Sequence, residues 1–147
     1  MNLSLIGTPG ARILDPSSGV FPVLNINESS NVRIQGFTIR GSGQGVDLVR
    51  IFNNSLVRIA DCIIERGGQG MFVSNMCQVN VLRSTFQDNV SNGIRVSANS
   101  LLSLGTVSGD TVATVVQRNG GHGVQVDENA MAQIYGKTVL KDNGGAG

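Results

Sequence analysis

Apolar and polar residues alternate along this chain in short bursts, and the bursts return in a fixed order. Val49 and Ile51 flank Arg50, Val79 and Val81 flank Asn80, and Ile94 and Val96 flank Arg95. Alternation with a period of two marks a strand with one buried and one wet face. One series of such strands reads Asn31-Val-Arg-Ile34, Leu56-Val-Arg-Ile59, Gln78-Val-Asn-Val81, Leu101-Leu-Ser-Leu104 and Met131-Ala-Gln-Ile134. Its last residues lie 25, 22, 23 and 30 positions apart. A second series runs in step: Leu24-Asn-Ile26, Val49-Arg-Ile51, Met71-Phe-Val73, Ile94-Arg-Val96 and Val124-Gln-Val126. Each member ends 8 residues before its counterpart in the first series. A constant offset inside a variable repeat predicts two strands joined by a tight turn of fixed shape.

A third, weaker series follows at Phe37–Ile39, Cys62–Ile64, Ser84–Phe86, around Val116, and at Thr138–Leu140. Three strands per repeat predict an all-β parallel β-helix of five to six coils, one domain over residues 1–147. Coils then stack about 4.8 Å apart and equivalent residues fall into columns. Val49, Ile51, Met71, Val73, Ile94, Val96, Val124 and Val126 are expected to point into one continuous core. Ser29, Asn54, Met76, Asn99 and Asn129 share one turn, and Asn89, Asn119 and Asn143 share another. Asparagine tolerates left-handed backbone, and stacked amides bond from coil to coil. Arg66, Asp88, Arg118 and Asp142 alternate in sign along the stack and read as a structural ladder.

Composition adds limits. Twenty glycines and no Trp favour short strands and turns over helices. A net charge of +1 gives no field that recruits nucleic acid. No apolar run approaches the roughly 20 residues that span a bilayer, so no membrane insertion is expected. The start, Met1-Asn-Leu-Ser-Leu-Ile-Gly7, reads as a strand and not as a signal peptide. Cys62 and Cys77 fall in different columns, so both read as small buried residues and no disulfide is expected.

The stretch Leu3-Ser-Leu-Ile-Gly-Thr-Pro-Gly-Ala-Arg-Ile-Leu-Asp15 and the phrase Asn31-Val-Arg-Ile-Gln-Gly-Phe-Thr-Ile39 resemble the first coils of secreted right-handed parallel β-helix proteins of the pectin-lyase-like superfamily. The resemblance implies a right-handed coil and a secreted or cell-surface setting. It also implies a short capping helix. No helical segment precedes Leu3, which leads to the expectation of a chain truncated at one or both ends. It implies no single activity, because that fold serves lyases, hydrolases, epimerases and phage adhesins.

Lyase-type members hold calcium in a cluster of carboxylates. Here Asp47, Asp61, Glu65, Asp88, Asp110, Asp127 and Asp142 are scattered over different columns. Asp61 should face Arg83 and Glu65 should face Arg40, which makes pairs and no metal site. Polygalacturonase-like members use a Gly-His-Gly turn beside paired acids. Gly121-His-Gly123 is present, but the acid motifs and an Arg-Ile-Lys segment are absent, so His122 reads as a turn residue in the column of Gln69 and Asn92. Neither cysteine has a partnered histidine, and the glycine-rich stretches 41–45 and 67–70 precede no helix. No catalytic residue and no cofactor are expected.

What remains is a surface. Asn25, Arg50, Phe72, Arg95 and Gln125 form one outward column, Phe52 lies diagonally beside Phe72, and Arg33 and Arg58 stand on the neighbouring strand. Arg50, Phe72, Arg95, Phe52, Arg58 and Gln125 are therefore the candidate ligand-binding residues. An aromatic between arginines and amides suits a sugar ring, and equally suits arginine stems shielding the sheet. An insertion at 105–115, carrying Asp110, is a second candidate for function. The expected function is a non-catalytic rigid scaffold of a secreted or surface protein that binds acidic glycans. Alternatives are part of a polysaccharide-active enzyme, lyase or epimerase, and a segment of an adhesin or phage fibre. The expected partners are a polysaccharide and a second copy of the chain, docked through the coil ends or a sheet face near Ile63.

Overall fold

The computed structural model describes residues 2–14, 21–43, 45–105 and 111–145. Its strands wind through three parallel sheets. The first contains β1 (Leu3–Ile6), β4 (Val32–Gln35), β7 (Leu56–Ala60), β10 (Gln78–Leu82), β13 (Leu101–Leu104) and β16 (Met131–Ile134), adjacent in that order. The second runs through β2 (Arg12–Leu14), β5 (Thr38–Arg40), β8 (Ile63–Glu65), β11 (Thr85–Gln87), β14 (Thr114–Gln117) and β17 (Thr138–Lys141). The third runs through β3 (Leu24–Asn27), β6 (Asp47–Phe52), β9 (Gln69–Ser74), β12 (Ile94–Val96) and β15 (Val124–Val126). Every pairing joins strands one coil apart, as in Val57 beside Val79 and Ile94 beside Met71. The repeat of the sequence is thus the repeat of the coil.

Period-two alternation explains the core. Ile34, Ile59, Val81 and Leu104 stack inward from the first sheet, and Ile51, Val73 and Val96 from the third, all fully buried. Seven of the predicted inward residues behave as expected, although Val124 is only half-buried. Val126 departs from expectation at 44% exposure, because β15 is the edge strand of its sheet and no described strand is stacked beyond it. Leu48 adds a buried residue outside the repeat. It fills space left by Gly67, where a Cβ would sit 2.4 Å from Leu48 Cγ.

The turns repeat as faithfully as the strands. Asn53-Asn54, Asn75-Met76, Ala98-Asn99 and Glu128-Asn129 each place two successive residues at φ between 49° and 61°. Ser100 N–H and Ala130 N–H close two of these turns onto Ser97 and Asp127 carbonyls. Two positive φ values in a row are the signature of a type I′ turn, and they explain the asparagines. Amide stacking in this turn falls one residue before the expected column: Asn53 bonds to Asn27 and Asn75 to Asn53. The second turn carries Asn89, Asn119 and Asn143 as expected. Cys62 and Cys77 are free and buried, and their sulfurs lie against backbone carbonyls. Burial pushes both thiols upward in pKa. Residues 106–110 of the insertion at 105–115, Asp110 among them, lie outside the described residues.

Candidate functional site

The outer face of the third sheet brings five of the six candidates into one patch. Arg50 pairs in register with Phe72, Phe72 with Arg95, and Arg95 with Gln125. Phe52 stands two residues along β6 and pairs with Ser74. Alternation turns all of these side chains away from the core and leaves each half-buried against its neighbours.

The two arginines treat Phe72 differently. Arg95 lies over the ring, with its guanidinium carbon 5.4 Å from the centroid, within cation–π range. Arg50 turns sideways and holds Asp47, three residues back, through Nε at 3.1 Å and a terminal nitrogen at 2.9 Å. An open depression of about 360 Å³ lies among Arg50, Phe52, Phe72, Ser74 and Asn75. Arg95 is not part of its lining, so the ring is covered on one side and accessible from the other.

The charge of the patch is balanced. Arg95 donates to Asp127 at 2.8 Å, and this hydrogen bond, with a second from Gln125, holds the Asp127 carboxyl below its ordinary pKa. Asp47 also accepts from Gln69. Gln125 is committed in both directions, since it accepts from Asn92 and donates to Asp127. It therefore braces the patch and offers little to a ligand.

Other candidates resolve into the coil-to-coil ladder. Asp61 binds Arg83, Glu65 binds Arg40, and Asp88 binds Arg118, each across one coil. No three His, Cys, Asp or Glu side chains converge as a metal site among the described residues. His122 sits in the Asn92 column, where its backbone N–H donates to Asn92 Oδ1 at 2.8 Å. A Cβ on Gly145 would fall within 2.6 Å of the His122 ring, so the imidazole packs under the next coil. These acids lock neighbouring coils together.

A family model described as a right handed beta helix region matches residues 23–112 of the chain. The chain belongs to that family. Comparison with curated proteins and with solved structures gives no match. Family membership fixes the hand of this right-handed β-helix and leaves its chemistry to its own side chains.

Arg58 is the candidate that the β-helix separates from the rest. It lies on the first sheet, in register with Arg33 and Asn80, and lines a different depression. Conversely, Asp47, Ser74 and Asn75 belong to the Phe72 patch and were not singled out from the sequence. Ser74 stands in register with Phe52, so the repeat makes its position legible. The Arg50–Asp47 pair was not, because it runs along one strand and leaves no trace in the repeat.

Proposed function

We propose that this right-handed β-helix is a non-catalytic scaffold of a secreted or surface protein that binds glycans on its third sheet. The observation that carries the reading is the open depression between Phe72 and Phe52, created where Arg50 folds away to Asp47. Two aromatic side chains supply an apolar platform of the kind a sugar ring needs, edged by Ser74 and Asn75, whose hydroxyl and amide are already hydrogen-bonded to each other, to Ser97 and to Asn53. Asp47 and Asp127 balance Arg50 and Arg95, so the patch favours uncharged sugar rings over the acidic ones expected from the arginine count. Calorimetric titration with neutral and uronic-acid oligosaccharides tests this. Binding of neutral chains that Phe72→Ala abolishes is expected. Absence of binding to any oligosaccharide, or binding indifferent to Phe72→Ala, overturns it.

We further propose that the scaffold pairs with a second copy through its second sheet. Thr38, Ile63, Thr85, Val115 and Val139 form an unbroken outward column there, with Ile63 40% exposed. The turn column Arg66, Asp88, Arg118, Asp142 borders it. That alternating series, read backwards, meets opposite charges at every step, which suits a two-fold partner. Sedimentation should show a dimer that Ile63→Lys dissociates; a monomer at high concentration overturns the pairing.

A further inference from the structure

Among the described residues, five arginines of this chain meet a carboxylate at ion-pair distance: Arg40, Arg50, Arg83, Arg95 and Arg118. Arg33 and Arg58 form no ion pair among the described residues, although the Arg33 charge helps Arg83 and Gln35 to hold the Asp61 carboxyl below its ordinary pKa. They occupy register positions on the adjacent strands β4 and β7, both exposed, so two arginine side chains rise from one outward column on strands about 4.8 Å apart. Like charges directly opposite each other destabilise a sheet. Arg58 makes no hydrogen bond or ion pair among the described residues. Arg33 donates to the amide oxygen of Gln35, a neutral group. Gln35 in turn donates to Asp61, whose oxygens are already held by Arg83 at 2.7 and 3.0 Å.

Both arginines line an open depression of about 410 Å³ on the first sheet, together with Ser4, Asn31, Leu56 and Asn80. Ser4 continues the arginine column below and Asn80 continues it above, so neutral hydrogen-bonding groups flank the two cations on the same face.

We propose that Arg33 and Arg58 form a binding site for a tetrahedral oxoanion, a phosphate or sulfate ester carried on a larger ligand. A carboxylate has two oxygens, and one bidentate guanidinium occupies both. A tetrahedral ester has three terminal oxygens, enough to serve two stacked guanidiniums at once. The bound anion also relieves the repulsion within the column. This site is on a different sheet from the Phe72 patch and does not depend on glycan binding there.

The test titrates the protein with inorganic phosphate, inorganic sulfate and acetate at constant ionic strength, using chloride as the reference. The melting temperature and the arginine Nε–H resonances are followed. Phosphate and sulfate should raise the melting temperature and move the Arg33 and Arg58 signals while leaving the paired Arg118 unmoved. Arg58→Gln should weaken that response at least tenfold without lowering the melting temperature in chloride, because it removes a like-charge contact. Affinity that climbs through the second ionisation of phosphate assigns the site to a phosphate ester, and a pH-independent preference for sulfate assigns it to a sulfate ester. Acetate binding more tightly than either anion overturns the tetrahedral assignment. Identical responses from the wild type and Arg58→Gln, or none beyond chloride, overturn the site.

Discussion

Asn89 donates its Nδ2 hydrogen to Oδ1 of Asn119 at 2.8 Å, although 30 positions separate them in the chain. The same oxygen accepts the Asn89 backbone N–H, while Asn119 Nδ2 donates to Asn143 Oδ1 and to the Phe86 carbonyl. Asn89 and Asn119 are both buried. A fully satisfied polar column thus runs beside the aliphatic core and fixes one coil against the next.

Asn119→Ala removes the acceptor for two Asn89 donors and the donor to Phe86. The expected loss is about 1–3 kcal/mol for each buried group left without a partner. Asn27→Ala, in the exposed amide stack, should stay within about 0.5 kcal/mol of the wild type. Urea denaturation of the two variants checks the contrast. Equal effects would mean the buried ladder contributes nothing specific.

Met76 occupies a turn position at φ 58° where the same turn in other coils has Asn54, Asn99 and Asn129. Its side chain is 61% exposed, so little packing depends on it. Met76→Asn should stabilise the protein by about 0.5–1 kcal/mol, by placing there a residue that tolerates left-handed backbone. Thermal or urea unfolding measures it, and a destabilised variant would contradict the turn assignment.

How much was legible follows from what repeats. Strands, inward columns and the pairs Asp61–Arg83 and Glu65–Arg40 recur with the coil, so spacing alone located them. The in-register placement of Arg50, Phe72 and Arg95 was equally legible. Side-chain choice within a column was not. Whether Arg50 covers Phe72 or turns to Asp47 depends on a local competition that alternation does not encode. Val126 escaped for another reason: periodicity gives the direction of a side chain but not whether a further coil covers it.

Acid should weaken the fold through its ion pairs. Hydrogen bonds from Arg83, Arg118 and Arg95 hold Asp61, Asp88 and Asp127 below ordinary carboxylate values. Burial opposes this at Glu65, but hydrogen bonds from Gln87 and Arg40 outweigh it and the net direction is also down. A folded pKa below the unfolded one means the unfolded chain binds more protons in that window, so stability rises with pH. The contribution is complete above the unfolded values near about pH 4 and disappears as pH falls through the folded ones. The melting temperature should be flat above about pH 5 and drop below about pH 4, less steeply in Arg83→Gln. An acid limb identical in the variant would show that the pair does not carry it.

Cys62 and Cys77 should resist thiol reagents in the folded protein. Both are buried and both thiols are pushed up in pKa by that burial, so the reactive thiolate is scarce. Labelling at mildly alkaline pH should proceed at the rate of unfolding and accelerate with urea. Fast labelling of the native chain would contradict their placement in the core.

The account turns on the Phe72 face, and amide chemical-shift mapping tests it most directly. Titration of the labelled protein with a neutral oligosaccharide should move signals at Phe52, Phe72, Ser74 and Asn75 and leave the outward residues of the second sheet, Thr38, Thr85 and Val115, in place. Shifts confined to another face, or no shifts at saturating sugar, would contradict it.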